Sequence, residues 1–457
     1  MIFSPPPTSK WLVPLLALTM LACGPVDDDN DQTNGDPDQT AEIPGDVVKS
    51  ELSRDTDPQV GADTFGQFSA DNRDFAFSLL DELRADQDGE GNFFISPHSV
   101  SVALAMIYGG AQENTKAEMA DVMRFQLDDD QLHPAFNKLD LALASRSDIE
   151  LDDEENQAFT LDIVNQTWGQ TGFDFVDDYL DMLAVNYGAA MSLVDFVSDY
   201  EQIRQDINAW VEDQTKDRIV ELLPEDSLQD DTRFVLVNAI YFYGSWASPF
   251  NESATSEQAF HLLDGSTADV PMMRQDASFP WATDEDSGSL AVSLPYVGEE
   301  VSMVAIMPDD EEADFAQWEA QFDRAAFDAV VDQLAAGRIY LSFPRFEDEG
   351  AYELKEIFEV MGMIDAFDSC DADFSGVTGH PPCINFKSLY ISDIFHKAFI
   401  SVDEEGTEAA AATGVVGATP TSMPPEVNFD RPFIYAIYDH PTETILFLGR
   451  MVDPTIQ

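Results

Sequence analysis

Basic residues are scarce in this chain, and their scarcity excludes several classes of partner. The 457 residues include 22 Lys and Arg against 88 Asp and Glu, which gives a formal net charge of −66. Proteins that bind nucleic acid neutralise its phosphates with clustered Lys and Arg. Binding a sulfated polysaccharide requires the same clusters of basic residues. We therefore expect neither as a partner. The surplus of acidic residues favours a strongly solvated surface. Its like charges repel each other, and dissolved salt would screen that repulsion.

Cysteine and histidine are also scarce, with three Cys and six His in the whole chain. No CxxC pair and no HExxH spacing occurs, so we expect no metal site. Cys370 and Cys383 could pair as a disulfide if the chain folds in an oxidising compartment. The GxSxG elbow and the glycine-rich phosphate loop of catalytic sites are missing as well. We therefore expect neither a cofactor nor an enzyme.

Long apolar runs are rare, and the run nearest the N-terminus is too short to span a membrane. Residues 11–22, WLVPLLALTMLA, follow Lys10 and have the length of a signal-peptide core. The run ends at Cys23 and a glycine, which is similar to the bacterial lipobox in which the cysteine is lipidated. Residues 1–22 are thus predicted to be a signal peptide, with the lipid on Cys23 as the only membrane contact. Met20 stands where Leu is usual, so an ordinary secretory signal remains an alternative, and both predict export.

The segment that follows has the composition of a disordered tether. Residues 23–65 are rich in Asp, Pro, Gly and Gln, with twelve acidic residues between positions 24 and 64. Such a segment repels itself and contains too few apolar residues to form a core. We therefore predict a lipidated acidic tether over 23–65 and a single folded domain over 66–457. The protein would be anchored to a bacterial cell envelope or secreted to the extracellular space.

The start of the folded domain reads as a short strand followed by a buried helix. In NFFISPHSVSVALAMIYGG, residues 92–110, Ser96 is placed to cap the helix and Pro97 occupies its first turn. The paired glycines at the end should stop the helix. Thr115 and Glu118 then have the spacing of a capping box for the next helix.

Helical and strand patterns both continue to the end of the chain. Helical faces are predicted at Ile207, Trp210 and Val211, and again at Leu354, Ile357, Phe358 and Met361 with Gly362 as a stop. Alternating Ile339, Leu341 and Phe343 indicate a half-buried strand, and FIYAIYDHPTETILFLGRMV indicates two strands around a turn. Long helices early and many strands late predict an α+β domain built around large sheets.

One stretch near the C-terminus has almost no large apolar side chain. EEGTEAAAATGVVGATPTSMPPE, residues 404–426, runs from acidic through alanine-rich to proline-bounded sequence. By itself it has the composition of an exposed, protease-sensitive linker or a short alanine-rich helix. Its flanking sequences favour another interpretation.

Four segments resemble the serpin family, in the order in which that family has them. They are NFFISPHSVSVALAMIYGGAQENT, TRFVLVNAIYFYGSWASPF, FHKAFISVDEEGTEAAAATG and PPEVNFDRPFIYAIYDHPTETILFLGRMVDP. The resemblance implies an α+β serpin fold of about nine helices and three β-sheets with an exposed reactive-centre loop. It also implies a serine protease inhibitor that acts as a suicide substrate. The protease forms an acyl-enzyme on the loop, and the cleaved loop then enters the central sheet and traps it.

The resemblance makes the start of the stretch the hinge of that loop. The hinge residues are Glu405, Gly406, Thr407, Glu408, Ala409, Ala410, Ala411 and Ala412. Because a strand alternates its faces, Thr407, Ala409 and Ala411 share one face, and all are small and uncharged. A register slip would bury Glu408, which is costly for an unpaired charge. Gly406 is predicted to supply backbone freedom where the hinge folds inward.

The resemblance also assigns residues that let the sheet open. Ser96, Ser99, Asn238 and His396 would form a polar shutter beneath the opening strands, and Trp246 would lie at the breach where the loop first enters. His396 then has a structural role, without acid–base chemistry. Trp246 read alone could equally be an ordinary core residue.

The cleaved bond depends on the register chosen for the loop. Counting forward from Gly406 at the family's spacing selects Pro420 as the residue before the bond. Counting back from Pro424 selects Thr421. Proline is poorly accepted in the primary pocket of a serine protease, so Thr421–Ser422 is the predicted bond.

Other residues are fallback positions for cleavage, and they bear on the target. Thr419 and Ala418 are fallbacks, and Met423 would suit a chymotrypsin-like protease. No Arg or Lys lies between residues 406 and 426, which disfavours trypsin-like proteases with an acidic pocket. An elastase-like or subtilisin-like serine protease is the expected partner of a monomeric inhibitor. A non-inhibitory serpin that acts as a surface binding or scaffold protein is the main alternative, and an exported hydrolase using Ser and His is a more distant one.

Overall fold

The computed structural model describes residues 43–86, 91–147, 159–383, 388–407 and 424–456. Several sequence predictions lie outside these ranges: the signal peptide, Cys23, the tether up to residue 42, the hinge from Glu408 to Ala412, and the cleavage positions Thr419, Pro420, Thr421 and Ser422.

Helices dominate the first half of the described chain. The α-helices are α1 (Ala62–Asp86), α2 (Pro97–Tyr108), α3 (Glu113–Val122), α4 (Asp129–Ala144), α5 (Asp177–Tyr187), α6 (Phe196–Gln214), α7 (Phe315–Glu319), α8 (Arg324–Asp332), α9 (Lys355–Met361) and α10 (Ser375–Thr378). Three 3₁₀ turns accompany them, at Ser145–Ser147, Glu252–Ala254 and Asp365–Phe367. The described ranges thus contain ten α-helices, close to the expected nine.

Strands occupy most of the second half. They are β1 (Asp46–Val48), β2 (Phe93–Ile95), β3 (Phe159–Gln170), β4 (Met191–Val194), β5 (Phe234–Ser245), β6 (Ser256–His261), β7 (Thr267–Asp284), β8 (Ser289–Pro295), β9 (Val301–Pro308), β10 (Ala335–Pro344), β11 (Phe346–Glu353), β12 (Asp393–Val402), β13 (Gly406–Thr407), β14 (Glu426–Asn428), β15 (Phe433–Asp439) and β16 (Thr444–Met451). Helices and extensive sheets in one domain confirm the predicted α+β class.

The seven-stranded sheet is the central one, with strand order β1-β4-β3-β5-β13-β12-β11. Its middle is a parallel pairing of β5 with β12, which we call the seam. The seam joins seven residue pairs, from Asp393↔Val235 to Phe399↔Tyr241. Beyond its last pair, β13 lies between β5 and β12 and is antiparallel to both.

Among the described residues the second sheet has nine strands, and it unites what the resemblance implied as two separate sheets. Its main path runs β14-β10-β7-β8-β9-β15-β16-β2, with β6 added on β7. The long strand β7 is the reason for the difference. It pairs with β6 at its start, β10 in its middle and β8 at its end, so it joins two groups of strands into one continuous sheet.

Local signals account for several helix ends. Ser96 caps α2 by accepting a hydrogen bond from the Ser99 amide, and Pro97 opens the helix as predicted. Gly362 ends α9 in a left-handed conformation, with φ of 113°. The capping box at Thr115 was wrong, because α3 begins two residues earlier at Glu113.

Thr115 and Glu118 instead hold another part of the chain in place. The Thr115 hydroxyl accepts a hydrogen bond from the amide of Asp373, at 2.9 Å. The Glu118 carboxylate accepts from the amides of Ile364 and Asp365, both at 2.8 Å. A capping-box spacing therefore served a long-range contact rather than a local one.

The predicted tether extends too far toward the C-terminus. Residues 43–61 lie against the folded body, with β1 as the edge strand of the central sheet, paired antiparallel with β4. Helix α1 then begins at Ala62, before the predicted domain boundary. Composition did not reveal this, because hydrogen bonds to distant elements hold the segment in addition to the packing of Val60 on the core.

Apolar side chains fill the interior where the sequence predicted them. Strands β9, β15 and β16 are buried along their whole length. Ile339, Leu341 and Phe343 of β10 are buried on one face, as their alternation predicted. No helix among the described residues combines the length and apolarity needed to cross a membrane.

Candidate functional site

The described part of the small-sided stretch ends inside the central sheet. Residues Gly406 and Thr407 form β13, with Gly406 opposite Ser245 and Thr407 opposite Gly244 of β5. Thr407 also pairs with Val402 of β12 and has no exposed surface. The chain therefore enters the gap between β5 and β12 before it leaves the described range.

Close approach of two backbones requires glycine at position 406. A Cβ atom there would lie 2.2 Å from the carbonyl oxygen of Gly244, a distance that real Cβ atoms do not show. The prediction named backbone freedom as the reason for Gly406, whereas the structure gives lack of space. The Asp403 carboxylate accepts hydrogen bonds from the amides of Glu405 and Gly406, at 2.9 and 3.1 Å, and so shapes the turn before β13.

A buried tyrosine holds the first inserted side chain. The Tyr296 hydroxyl and the Thr407 hydroxyl share a hydrogen bond of 2.8 Å. Burial raises the pKa of Tyr296 far above its usual range, so the phenol stays neutral. Tyr296 in turn stacks on Trp246, with ring centroids 4.7 Å apart. A small hydroxyl side chain at position 407 fits this contact.

Trp246, which the resemblance assigned to the breach, contacts the turn before β13. Its indole N–H donates to the carbonyl of Asp403 and its backbone amide to that of Glu405, both at 2.9 Å. The indole ring is buried against Tyr296. Trp246 therefore holds the turn from which β13 starts through two hydrogen bonds.

A buried carboxylate fixes the same turn on its other side. Glu404 is 3% exposed and receives two hydrogen bonds of 2.6 Å from the Arg345 guanidinium. Thr255 also donates its hydroxyl to Glu404. Burial would raise the pKa of Glu404, but the bonds from Arg345 and Thr255 outweigh it and lower the pKa. A cleft of about 590 Å³ opens beside this ion pair.

The four predicted shutter residues form one hydrogen-bonded chain beneath the seam. The Ser96 amide donates to His396 Nε2 at 3.1 Å, so this ring nitrogen is the acceptor. His396 Nδ1–H then donates to the Asn238 side-chain oxygen. The Asn238 amide nitrogen donates to the Ser99 hydroxyl, and Ser96 Oγ caps the Ser99 amide.

This network crosses the seam and carries no charge. His396 and Asn238 are direct partners in the parallel register of β12 and β5. Burial lowers the pKa of His396 to about 3, so the ring is neutral at any physiological pH. Separating β5 from β12 would break the bond between these two side chains. The network therefore joins the two strands through neutral hydrogen bonds alone.

The sequence did not indicate three residues that contact the hinge or the residue before it. Tyr296, Arg345 and Thr255 contact Thr407 or Glu404 across 59 to 149 positions of sequence. Each belongs to an ordinary turn or strand end, without a motif of its own. Only the buried acid at position 404 signals that a base and a hydroxyl should lie nearby.

The described chain also shows the outcome for the cysteine pair and for metal-ligating groups. Cys370 and Cys383 form a disulfide. The described ranges bring together no group of three or more His, Cys, Asp or Glu that could hold a metal ion. The hinge, seam and shutter together are thus the candidate functional site.

Comparisons with known proteins agree on one family. A family model described as Serpin (serine protease inhibitor) matches residues 70–454. The leukocyte elastase inhibitor of Equus caballus is 36% identical over 394 residues, 85% of this chain and 100% of that protein. A serpin-like protein of Thermococcus kodakarensis is 37% identical over 384 residues, 83% of this chain and 84% of that protein. A crystal structure of maspin superposes with a TM-score of 0.76 at 25% identity, covering 86% of this chain and 100% of that one.

Proposed function

This chain belongs to the serpin family, and from that premise we propose that it inhibits serine proteases as a suicide substrate. The observation that carries the proposal is β13. Its two residues already lie between β5 and β12, antiparallel to both, as an inserted strand would have to lie. Further insertion would extend β13 along the seam.

Extension of β13 requires the seam to part and small residues to follow Thr407. The seven parallel pairs of the seam would be replaced by antiparallel pairs on both sides of the new strand. Thr407 points to the buried Tyr296, so with period two Ala409 and Ala411 would turn to the same interior side. These side chains fit a crowded interior. Glu408 would turn to the other face.

The trap follows from these geometric needs. A protease that attacks the loop forms an acyl-enzyme, and cleavage frees the N-terminal part of the loop to enter the sheet. The bound protease is carried along and its active site is distorted before deacylation. Free energy released by strand pairing drives the step, which is a strand addition within one molecule.

The target we propose is an elastase-like or subtilisin-like serine protease, cut at Thr421–Ser422. The absence of Arg and Lys between residues 406 and 426 supports it. The name of the horse relative, a leukocyte elastase inhibitor, also supports it. The inhibitor would act as a monomer and use no cofactor.

Incubation with elastase and with subtilisin tests the inhibition. We expect a complex that resists denaturing electrophoresis. We also expect a released C-terminal fragment whose mass is that of a peptide starting at Ser422. Thr407→Arg is the matched variant, since it would force a long charged side chain against Tyr296. It should be cleaved at the same bond but release most of the protease active, with complex yield reduced at least about tenfold.

One outcome would remove the inhibitory function. Clean cleavage of the unmodified protein with full protease activity remaining would leave a serpin that serves as a binding or scaffold protein. Equal complex yields from the unmodified protein and Thr407→Arg would instead reject insertion at β13 as the cause.

We also propose that the protein is exported and carries lipid on Cys23, as a bacterial-type lipoprotein. The apolar run 11–22 and the residues around Cys23 support this. The Cys370–Cys383 disulfide also supports it, because disulfides persist in oxidising compartments. Mass spectrometry of the mature N-terminus is the test. An acylated Cys23 is expected, and Cys23→Ala should release the protein from membranes.

A further inference from the structure

The segment between residues 43 and 60 contacts β4, α5 and α4 in turn, and we call it the strap. It precedes the region matched by the serpin model, which starts at residue 70. Its first part joins the central sheet, because β1 pairs with β4 and the Trp168 indole of β3 donates to the Pro44 carbonyl at 3.1 Å. The strap therefore adds an edge strand to the side of the sheet that contains β3, β4 and β5.

The middle of the strap is fixed to α5. Ser50 donates its hydroxyl to Asp181 of that helix. The Asp55 amide donates to the Val185 carbonyl near the end of α5, at 2.9 Å. Only three residues separate the end of α5 from the start of β4, so α5, β4 and the strap form one connected group.

Arg54 ties this group to a different helix. Its Nε donates to the Asn137 side-chain oxygen at 2.8 Å, and its Nη2 reaches Asp140 at 2.6 Å, both on α4. Asn137 is fully buried and also donates to the Asp55 carbonyl at 2.7 Å. Removing the arginine would leave the oxygen of a buried amide without that donor, so the contact is worth more than an exposed ion pair.

Helix α4 is itself held to the body of the molecule. Phe136 packs edge-on against Phe68 of α1, with ring centroids 4.7 Å apart. Directly after α4, Arg146 pairs at 2.7 Å with Asp439, a fully buried residue of β15. Arg54 thus connects the strap to a helix that is anchored on the second sheet.

Loop insertion would place the contact between the strap and α4 under strain. A new strand widens the sheet by about 4.8 Å, so β5, β3 and β4 must shift away from β12. Strand β12 stays with β11, where Asp348 is bonded to Tyr435 of the second sheet at 3.1 Å. The shift therefore falls on the group that includes α5 and the strap, and it loads the contacts of that group with α4. These contacts are Arg54 on Asn137 and Asp140 and, directly between the helices, Tyr187 on His133 at 2.7 Å.

We propose that the strap is a brace on sheet opening, with Arg54 as a positioning residue that strengthens the contact of this group with α4 and so opposes parting of the seam. This inference rests on the proposed inhibitory function and names a regulator of its insertion step. The brace slows insertion, and so limits premature insertion of an uncleaved loop. Its strength sets how fast the cleaved loop enters relative to deacylation.

Uptake of a loop peptide tests the brace without a protease. A fluorescein-labelled peptide with the sequence of residues 406–418, GTEAAAATGVVGA, is incubated with the intact full-length protein, and its incorporation is followed by anisotropy. Arg54→Met should take up the peptide about tenfold faster than the unmodified protein, since one buried hydrogen bond and one ion pair no longer oppose opening. Arg54→Lys keeps the pairing with Asp140, so its uptake rate should lie between those of Arg54→Met and the unmodified protein.

Arg338→Met is the matched control. Arg338 makes a bidentate ion pair with Asp276, at 2.7 and 2.9 Å, between β10 and β7 of the other sheet. It should leave the uptake rate unchanged. If Arg54→Met does not fold, Asp140→Asn removes only the ionic partner of Arg54, and a smaller acceleration is expected.

Two results would overturn the inference in different ways. Uptake by Arg54→Met or Asp140→Asn at the rate of Arg338→Met, with uptake by the unmodified protein intact, would reject the brace alone. Failure of the unmodified protein to take up any peptide on prolonged warming would reject loop insertion itself, and the brace with it.

Discussion

Asp348 is a buried carboxylate that lies where the two sheets meet. It belongs to β11, opposite Ile400 of β12, and accepts a hydrogen bond from the Tyr435 hydroxyl of β15 at 3.1 Å. Burial raises the pKa of Asp348 to about 7, although the bond from Tyr435 acts to lower it. The folded state therefore prefers a proton that the unfolded chain releases near pH 4.

Replacing this carboxylate by an amide should stabilise the protein in a pH-dependent way. With a raised folded-state pKa, stability is lost as pH rises from about 4 to about 7, because only the unfolded chain is ionised there. Asp348→Asn keeps an acceptor for Tyr435 and avoids that loss. Its free energy of unfolding should exceed that of the unmodified protein by about 2–4 kcal/mol at pH 7 and by little at pH 4.

Denaturant unfolding at several pH values measures this difference. Glu347→Gln, on the exposed face of the same strand, serves as the control and should show no such trend. A gap between Asp348→Asn and the unmodified protein that stays constant from pH 4 to pH 7 would contradict the assignment.

Single residues were predictable from the sequence when their neighbours lay close by or when the resemblance named them. Ser96 capping α2 is of the first kind, and the pairing of His396 with Asn238 is of the second. Glu404 directly precedes the predicted hinge, but its partner Arg345 lies 59 positions earlier, in the connection between β10 and β11. No local pattern links an acid to a base at that distance, because the contact depends on how the two sheets meet.

At the scale of elements, the seam is the part that must change during function. Besides backbone hydrogen bonds and apolar packing, strands β5 and β12 share the side-chain network through Asn238 and His396. In the cleaved form the inserted strand would separate them. Changes in this network should therefore affect the intact and the cleaved protein unequally.

His396→Phe should destabilise the intact protein more than the cleaved one. Phenylalanine cannot accept from the Ser96 amide or donate to Asn238, and both groups are buried. The intact form should lose about 2–4 kcal/mol, whereas the cleaved form has already parted the seam and should lose less. Thermal melts of both forms measure the two losses. His261→Phe, at an exposed position of β6, is the control; equal losses from His396→Phe in both forms would count against the seam.

Elements with strong periodicity were predicted well, and elements held by distant contacts were not. The buried faces of α6, α9 and β10 follow from their apolar spacing. Strand β1 was missed because three residues in an acidic, proline-containing segment carry no periodic pattern. Its pairing depends on an available edge at β4, which no local sequence reports.

For the whole molecule, charge is the property that separates this chain from an average domain. The whole chain has a net charge of −66, with 22 Lys and Arg against 88 Asp and Glu. Like charges on a compact surface repel each other more than on an expanded chain, and ions weaken that repulsion.

Salt should accordingly stabilise the folded protein. The melting temperature at pH 7 is expected to rise by several degrees between low salt and about 1 M NaCl, where the Debye length falls to about 3 Å. Differential scanning calorimetry across a salt series measures it. Most of the rise should occur at low concentration, where screening changes most. A melting temperature that is flat or falls with salt would show that ion pairs such as Arg146–Asp439 outweigh the general repulsion.

Strand β2 has a consequence for how this protein reaches its native state. It lies at the end of the described nine-stranded sheet, where its strand partner is β16. Just after β2, the Ser96 hydroxyl donates a hydrogen bond to the backbone carbonyl of Leu446, 350 positions further on. Such closure must wait for almost the entire chain to be present and ordered, so assembly is expected to be slow. During that wait the apolar strands β9 and β15 are open to other copies of the chain. The dense negative charge then has a second benefit, since it keeps unfinished molecules apart until the last strands close.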